Sequence, residues 1–220
     1  MKPQFALSAA AALFCLALAP VHAAPVHDMA PMDHQAAPAT TVAAPKLQAA
    51  LRELWHGHVV HTRDYAMAVH AHDDAKAKAA AEAVVANAKQ IANAVAGFYG
   101  KAAGDQTLQL LAGHWAGVKA LTDAVAAGDT AAQAKAMNAL NENVNAIAKF
   151  FSAANPNLPE DAVKGLFAAH VGHHATEIPQ IMQGDTQGEL ATWKAIQAHM
   201  NVIADTMAGA LAKQFPDKAA

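Results

Sequence analysis

The stretch LWHGH at residues 54–58 recurs as LLAGH at 110–114 and as LFAAH at 166–170. Each copy ends in a histidine, and successive copies are 56 residues apart. A second motif keeps the same period, because Asn87, Asn143 and His199 are each followed four residues later by an Ile-Ala pair. A fixed period of this length indicates one supersecondary unit used several times. The repeat therefore predicts three copies of one structural unit, each with a histidine at the same place.

The apolar pattern after Pro45 predicts helices throughout, since apolar residues recur at steps of three and four. Acidic residues at Asp73, Asp129 and Asp185, and further ones at Asp105 and Asp161, stand where helix N-caps are expected. Glycines and prolines mark the helix ends, and Gly104 is interpreted as one of these ends. We therefore expect an all-α bundle of about six helices, built from three antiparallel hairpins of about 56 residues. The predicted helices are 46–72, 75–97, 105–127, 131–153, 160–183 and 187–213.

The repeated polar residues should lie at one level of this bundle. His58 and Asn87 are nearly equidistant from the turn at Asp73, and the other two hairpins repeat that arrangement around their Gly-Asp-Thr turns. All six positions follow the apolar stripe of their helices, so their side chains are expected to point toward the core. The predicted polar layer consists of His58, Asn87, His114, Asn143, His170 and His199.

A buried polar layer costs free energy unless its groups find partners. One solution is a metal ion held by imidazoles from different helices, with neighbouring polar side chains orienting the rings. The predicted metal ligands are His58, His114, His170 and His199, with His61 and His173 one turn away. Asn87, Asn143 and Glu177 are the predicted orienting residues. The alternative is a hydrogen-bonded His/Asn layer that only fixes the helix register.

The amino-terminal segment has the features of an export signal. Residues 1–23 combine a short positive start, an apolar run and a small-residue cleavage pattern, which predicts a periplasmic or secreted protein without a membrane span after cleavage. Cys15, the single cysteine, would leave with that signal, which excludes disulfides, thiolate metal sites and attached haem from the mature chain. Residues 24–45 are predicted to be a disordered leader rich in Pro and Ala, and 46–216 the helical domain. The leader contains a candidate copper site at His27, Met29, Met32 and His34.

Charge and motifs exclude several classes of function. The chain has 15 Lys and Arg against 18 Asp and Glu, with no basic stripe, so a nucleic-acid partner is not expected. It has no nucleotide-binding loop and no His-Glu-x-x-His motif. A di-iron bundle needs paired Glu-x-x-His motifs, and Glu53-x-x-His56 stands alone. Serine occurs only at Ser8 and Ser152, which argues against a serine nucleophile.

The chain also resembles a bacterial family of all-helical proteins over most of residues 51–216. The resemblance implies an all-α fold and indicates no particular activity. This chain has His61 where that family usually has an aromatic residue, and it lacks the usual acid near His56, which suggests imidazoles added around a shared site. The matching motifs are Leu54-Trp55-x-x-His58-x-x-x-Thr62-Arg63, Phe98-Tyr99-Gly100, His114, Ala126-x-Gly128-Asp129, Asn155-Pro156, His170, His199 and Lys213-Gln214-Phe215-Pro216.

These patterns together predict an exported protein that binds a transition-metal ion. Copper is the first expectation, because imidazole and thioether ligands are available, and zinc is the second. The expected role is sequestration, tolerance or delivery of the metal. Three alternatives remain open at this point: a haem binder, a metal-dependent enzyme with Glu177 or Asp205 as its acid, and a purely structural or interaction bundle.

Overall fold

Helices account for nearly all of the computed structural model, which describes residues 44–219. This part of the chain contains no strand, so the all-α prediction is confirmed. None of its helices is long and apolar enough to cross a membrane. The helices are α1 (Pro45–His70), α2 (Asp74–Tyr99), α3 (Lys101–Ala126), α4 (Thr130–Ala154), α5 (Glu160–Gln183), α6 (Thr186–Gln214) and the short α7 (Pro216–Ala219).

The amino-terminal predictions fall elsewhere in the chain. The signal at 1–23 and nearly all of the leader lie outside the described residues. The same holds for the candidate copper site at His27, Met29, Met32 and His34.

Aspartates cap the second helix of every hairpin, as predicted. The Asp73 carboxylate accepts the backbone N–H of Lys76, and Asp129 and Asp185 cap α4 and α6 in the same way. Each of these turns lies between the two helices of one hairpin, so the caps mark where the second helix of each hairpin begins.

The start of α3 was predicted wrongly. The helix begins at Lys101 rather than at 105, because Gly100 adopts a φ of 89° and alone separates α2 from α3. Asp105 is therefore inside the helix, where its carboxylate lies 2.6 Å from Lys101 Nζ. Asp161 likewise lies in the first turn of α5 rather than at its N-cap.

The six long helices form a closed bundle with three inner and three outer helices. Each helix packs against the next along the chain, and α6 returns to pack against α1. In addition α1, α3 and α5 contact one another, so they are the inner helices, and α2, α4 and α6 are the outer ones. Val84, Leu140 and Ile196, one on each outer helix and 56 residues apart, have no exposed surface. The sequence period thus corresponds to an approximate threefold arrangement of hairpins.

At one repeated position in each hairpin, a side chain of the outer helix donates a hydrogen bond to a backbone carbonyl of the inner helix. Asn87 Nδ2 donates to Leu54 O at 3.0 Å, and Asn143 Nδ2 donates to Leu110 O at 2.9 Å. In the third hairpin His199 Nε2 donates to Leu166 O at 2.8 Å. In a regular α-helix the same carbonyl also accepts the N–H of the residue four positions later, and that residue is His58, His114 or His170. These cross-hairpin hydrogen bonds therefore set the register at the turns that carry the repeated histidines.

Glycine and asparagine form a matched pair at this contact. A Cβ atom at Gly57 would lie 2.9 Å from Asn87 Nδ2, and one at Gly113 would lie 3.1 Å from Asn143 Nδ2. The third hairpin has Ala169 at the equivalent position, opposite the longer side chain of His199. A short amide needs the backbones to approach closely, whereas an imidazole reaches the carbonyl past a methyl group.

The Asn143→Ala substitution tests the cross-hairpin hydrogen bond. We expect it to lower the free energy of unfolding by about 1 kcal/mol relative to Asn145→Ala, because only Asn143 donates to a carbonyl of another helix. Asn145 is an exposed residue of the same helix, so both changes alter helix propensity equally. Urea unfolding followed by circular dichroism measures the difference, and equal stabilities would refute the assignment.

A pair of glycine substitutions tests the close approach of α2 and α3. A Cβ at Gly104 would lie 2.7 Å from Ala96 Cβ and 3.0 Å from Ala92 O, so Gly104→Ala should destabilise the protein by about 1–3 kcal/mol. Gly165 has open space around its Cβ position, so Gly165→Ala should stabilise by roughly 0.5–1 kcal/mol through helix propensity. Thermal melts of the two variants should shift in opposite directions, and a common direction would contradict this packing.

Candidate metal centre

Four histidines meet at the centre of the three inner helices. His58 lies on α1, His114 on α3, and His170 and His174 on α5. All four are buried, with at most 2 % of each residue exposed. One ring nitrogen from each lies within 4.8 Å of those of the other three. We refer to these residues as the four-histidine cluster.

Three members of the cluster follow the threefold repeat. The ring centroids of His58 and His114 are 5.9 Å apart, those of His58 and His170 are 5.8 Å apart, and those of His114 and His170 are 5.4 Å apart. The rings therefore form a nearly equilateral triangle, as expected for one inner-helix position repeated around an axis.

His174 is the asymmetric member. It lies one helical turn after His170, on the same face of α5, and the two Nε2 atoms are 3.1 Å apart. The equivalent positions in the other hairpins are Thr62 and Val118. The Thr62 hydroxyl donates to the carbonyl of His58 in its own helix, at 2.8 Å. Only the third hairpin thus adds a second imidazole to the centre.

Most nitrogens of the cluster lack a hydrogen-bond partner among residues 44–219. These atoms are Nδ1 of His58, His170 and His174 and both ring nitrogens of His114. Buried polar atoms in proteins are nearly always paired, so a group of unpaired ones in one place needs an explanation. A ligand that accepts several imidazole lone pairs would provide one.

Burial keeps the cluster uncharged at neutral pH. It lowers the pKa of His58 to about 3, with further lowering by His114 and His61. Burial also lowers the pKa of His114 to about 4, against an opposing contribution from Asn143. His170 and His174 have pKa values well below the ordinary range, first through burial and then through neighbouring histidines. The neutral form is the one that binds metal ions.

A buried carboxyl group, which lies near a partly exposed arginine, is next to the cluster. Glu177 Oε2 is 3.9 Å from His174 Nδ1, and Glu177 Oε1 is 3.9 Å from Arg63 Nε. Arg63 also pairs with Glu189, so two buried carboxylates share one guanidinium. Burial and Glu189 raise the pKa of Glu177 to about 7, and Arg63 opposes them. This arrangement provides a site for negative charge beside His174.

The other predicted site residues lie outside the cluster. His199 is on α6, where it holds Leu166 O. His61 and His173 are partly exposed. The pKa of His173 is lowered, first by its partial burial and then by the neighbouring His199. Asn87 and Asn143 donate to backbone carbonyls, so they position the inner helices rather than bond the rings through Nδ2. The carboxylate of Asp205 pairs with Arg52 at 2.6 Å.

The sequence contained a signal for the fourth member of the cluster. His170 and His174 are four residues apart on one helix, a spacing that places two side chains on the same face. The prediction instead selected His199, because His170 and His199 are equidistant from the turn between α5 and α6. Identifying which helices are inner requires the tertiary structure.

Comparisons of the chain with family models, curated proteins and solved structures find no match. The geometry of the four-histidine cluster is therefore the basis for a proposed function.

The depressed pKa values predict acid sensitivity of the metal-free protein. Unfolded histidine takes up a proton near pH 6.5, whereas His114 in the fold does so only near 4. Stability due to the neutral cluster is therefore complete above pH 6.5 and is lost as the pH falls, by roughly 3 kcal/mol for His114 alone. Glu177 has the opposite effect, because its raised pKa stabilises the fold as the pH falls from about 7 toward the pKa of an unfolded glutamate. This is one carboxyl group, whereas four histidines lose stability over the acid range.

Urea unfolding in EDTA between pH 7.5 and 4.5 measures this loss. His114→Leu should flatten the pH dependence, whereas His70→Gln, at an exposed position, should leave it unchanged. A wild-type stability that does not fall below pH 6.5 would contradict the burial of uncharged imidazoles.

Proposed function

We propose that the protein binds one transition-metal ion at the four-histidine cluster and serves to hold, sequester or deliver that ion. The supporting observation is the convergence of four buried, uncharged imidazoles, each with one nitrogen within 4.8 Å of the others. A single buried histidine is easily explained by packing. Four at one point, with most of their nitrogens unpaired, are better explained by a shared ligand.

The donor set favours zinc or copper. Imidazole nitrogen suits both ions, and the cluster contains no thiolate or carboxylate oxygen. With metal–nitrogen bonds of about 2.0–2.1 Å, tetrahedral ligands would be about 3.4 Å apart. The His170–His174 pair is already near this spacing, at 3.1 Å, and the remaining nitrogens, which lie within 4.8 Å of one another, would move closer on binding. The thioether argument for copper depends on the leader, so the ion at the cluster itself is either Cu(II) or Zn(II).

The charge around the cluster also suits a divalent cation. Four neutral imidazoles would leave the full ionic charge buried, which is costly without compensation. Glu177 can supply a negative charge close to His174 Nδ1 and can orient that ring by accepting its N–H. Binding of the ion would favour the charged form of Glu177, since a nearby cation lowers the pKa of a carboxyl group.

Retention of the ion is favoured over catalysis. Four protein ligands complete the coordination of a tetrahedral ion, whereas catalytic zinc sites keep one position open for water or substrate. All four ligands here are buried, so an ion held among them would be shielded from bulk solvent. Haem is also disfavoured, because five of the six pairs of ring centroids are at most 6.4 Å apart and a porphyrin between two rings would displace the others.

Two variants that copy other repeats test the proposal without adding a foreign residue to the fold. His174→Val gives the third hairpin the residue of the second, and the pair Ala169→Gly and His199→Asn gives it the Gly-Asn contact of the first two. Each protein would be loaded with Zn(II) or Cu(II) and dialysed, and the metal would be measured by ICP-MS. We expect one retained ion in the wild type and in the Ala169→Gly, His199→Asn variant, and none in His174→Val.

Thermal melts with and without metal provide an independent measurement. An ion that binds only the folded protein stabilises it by about 2.7 kcal/mol at a free concentration of 100 times its Kd. Competition between Zn(II) and Cu(II) identifies the preferred ion. If the wild type retains no ion and EDTA leaves its melting temperature unchanged, the cluster is a structural device and the proposal fails.

A further inference from the structure

We propose that His173 and His199 form a second, solvent-accessible metal site that binds a divalent transition-metal ion such as Cu(II). This site is separate from the four-histidine cluster, and its occupancy does not depend on the buried site being filled.

The two rings come from different helices and lie close together. His173 lies on α5 and His199 on α6, with ring centroids 5.3 Å apart and an angle of 57° between the ring planes. Both residues are partly exposed, so an ion can reach them from solvent. Because each ring belongs to a long, packed helix, little ordering of the backbone is needed when both bind one ion.

The hydrogen bond of His199 leaves the other ring nitrogen free to act as a ligand. A carbonyl oxygen can only accept, so His199 Nε2 must carry the proton that it donates to Leu166 O. In the neutral ring Nδ1 then holds the lone pair. Metal-binding histidines commonly donate their second nitrogen to a carbonyl in this way, which fixes both the tautomer and the ring orientation.

The other hairpins provide an internal comparison. The positions equivalent to His173 and His199 are His61 and Asn87 in the first hairpin, and Gly117 and Asn143 in the second. An asparagine already satisfies the cross-hairpin hydrogen bond in those two hairpins. The bond therefore does not require an imidazole at residue 199. What the imidazole adds is a second nitrogen, next to another imidazole.

Two imidazoles leave several coordination positions to water, which suits the tetragonal geometry of Cu(II). The affinity should be lower than at a site with four protein ligands. Cu(II) is also a useful probe, because the nitrogen hyperfine pattern of its EPR spectrum reports the number of coordinated imidazoles.

The test uses the full chain with His174→Val as background, so that the buried cluster is incomplete. Cu(II) is titrated into this protein, and into the same protein carrying either His173→Ala or the pair Ala169→Gly and His199→Asn. The pair recreates the Gly-Asn contact of the other hairpins, so the cross-hairpin hydrogen bond is kept. We expect each change to weaken Cu(II) binding by roughly tenfold or more and to remove one nitrogen from the EPR pattern.

His61→Ala in the same background is the matched control, because it removes a partly exposed imidazole whose hairpin partner is Asn87. It should leave the affinity and the EPR pattern of this site unchanged. Loss of Cu(II) affinity in none of the three variants, or equally in all three, would overturn the assignment. Metal retention by the wild-type cluster is measured separately, so the two proposals can fail independently.

Discussion

Burying four imidazole rings at the centre of an alanine-rich bundle is the constraint on which the rest of the structure depends. Desolvation keeps His58 and His114 uncharged, because the charged form of a group is disfavoured in an apolar interior. The rings must also arrive at one level, which requires a fixed register in each hairpin. The cross-hairpin hydrogen bonds provide that register, since each binds a carbonyl one turn before a cluster histidine. Packing, charge state and helix register therefore converge on one place.

The third hairpin departs from the other two at two buried positions that lie close to the cluster. His174 replaces the Thr62 and Val118 of the other hairpins, and Glu177 replaces Tyr65 and Leu121. The first change adds a fourth imidazole to the buried cluster, and the second places a buried carboxyl group next to it. Such changes are costly to a purely structural bundle, because each adds a polar group to an interior that the other hairpins fill differently. Together they support the proposal of an ion held at α5 and the helices that pack against it.

Most of the fold was predictable because its signals are local. Apolar periodicity places the six long helices, and aspartate caps place the turns within the hairpins. The exception at α3 has a specific cause. Gly104 was interpreted as a helix end, but it lies inside the helix and faces Ala96, where a larger residue would not fit. Conformational freedom and close approach both call for glycine, and the neighbouring helix decides which applies. The candidate site was predictable in part for the same reason: the repeat identified His58, His114 and His170, and the structure brings them together.

The sequence by itself determined that three similar hairpins exist, where the turn within each hairpin lies, and that His58, His114 and His170 face the core. These properties depend on residues close together in the chain. Only the tertiary structure decided which helices are inner, and this choice selected the fourth member of the cluster. His199 is level with the cluster but lies on an outer helix, so its side chain reaches the carbonyl of Leu166. His174 is one turn away but on an inner helix, so its ring reaches the centre. The level of a residue follows from counting along the chain, whereas its distance from the axis follows from how the helices pack.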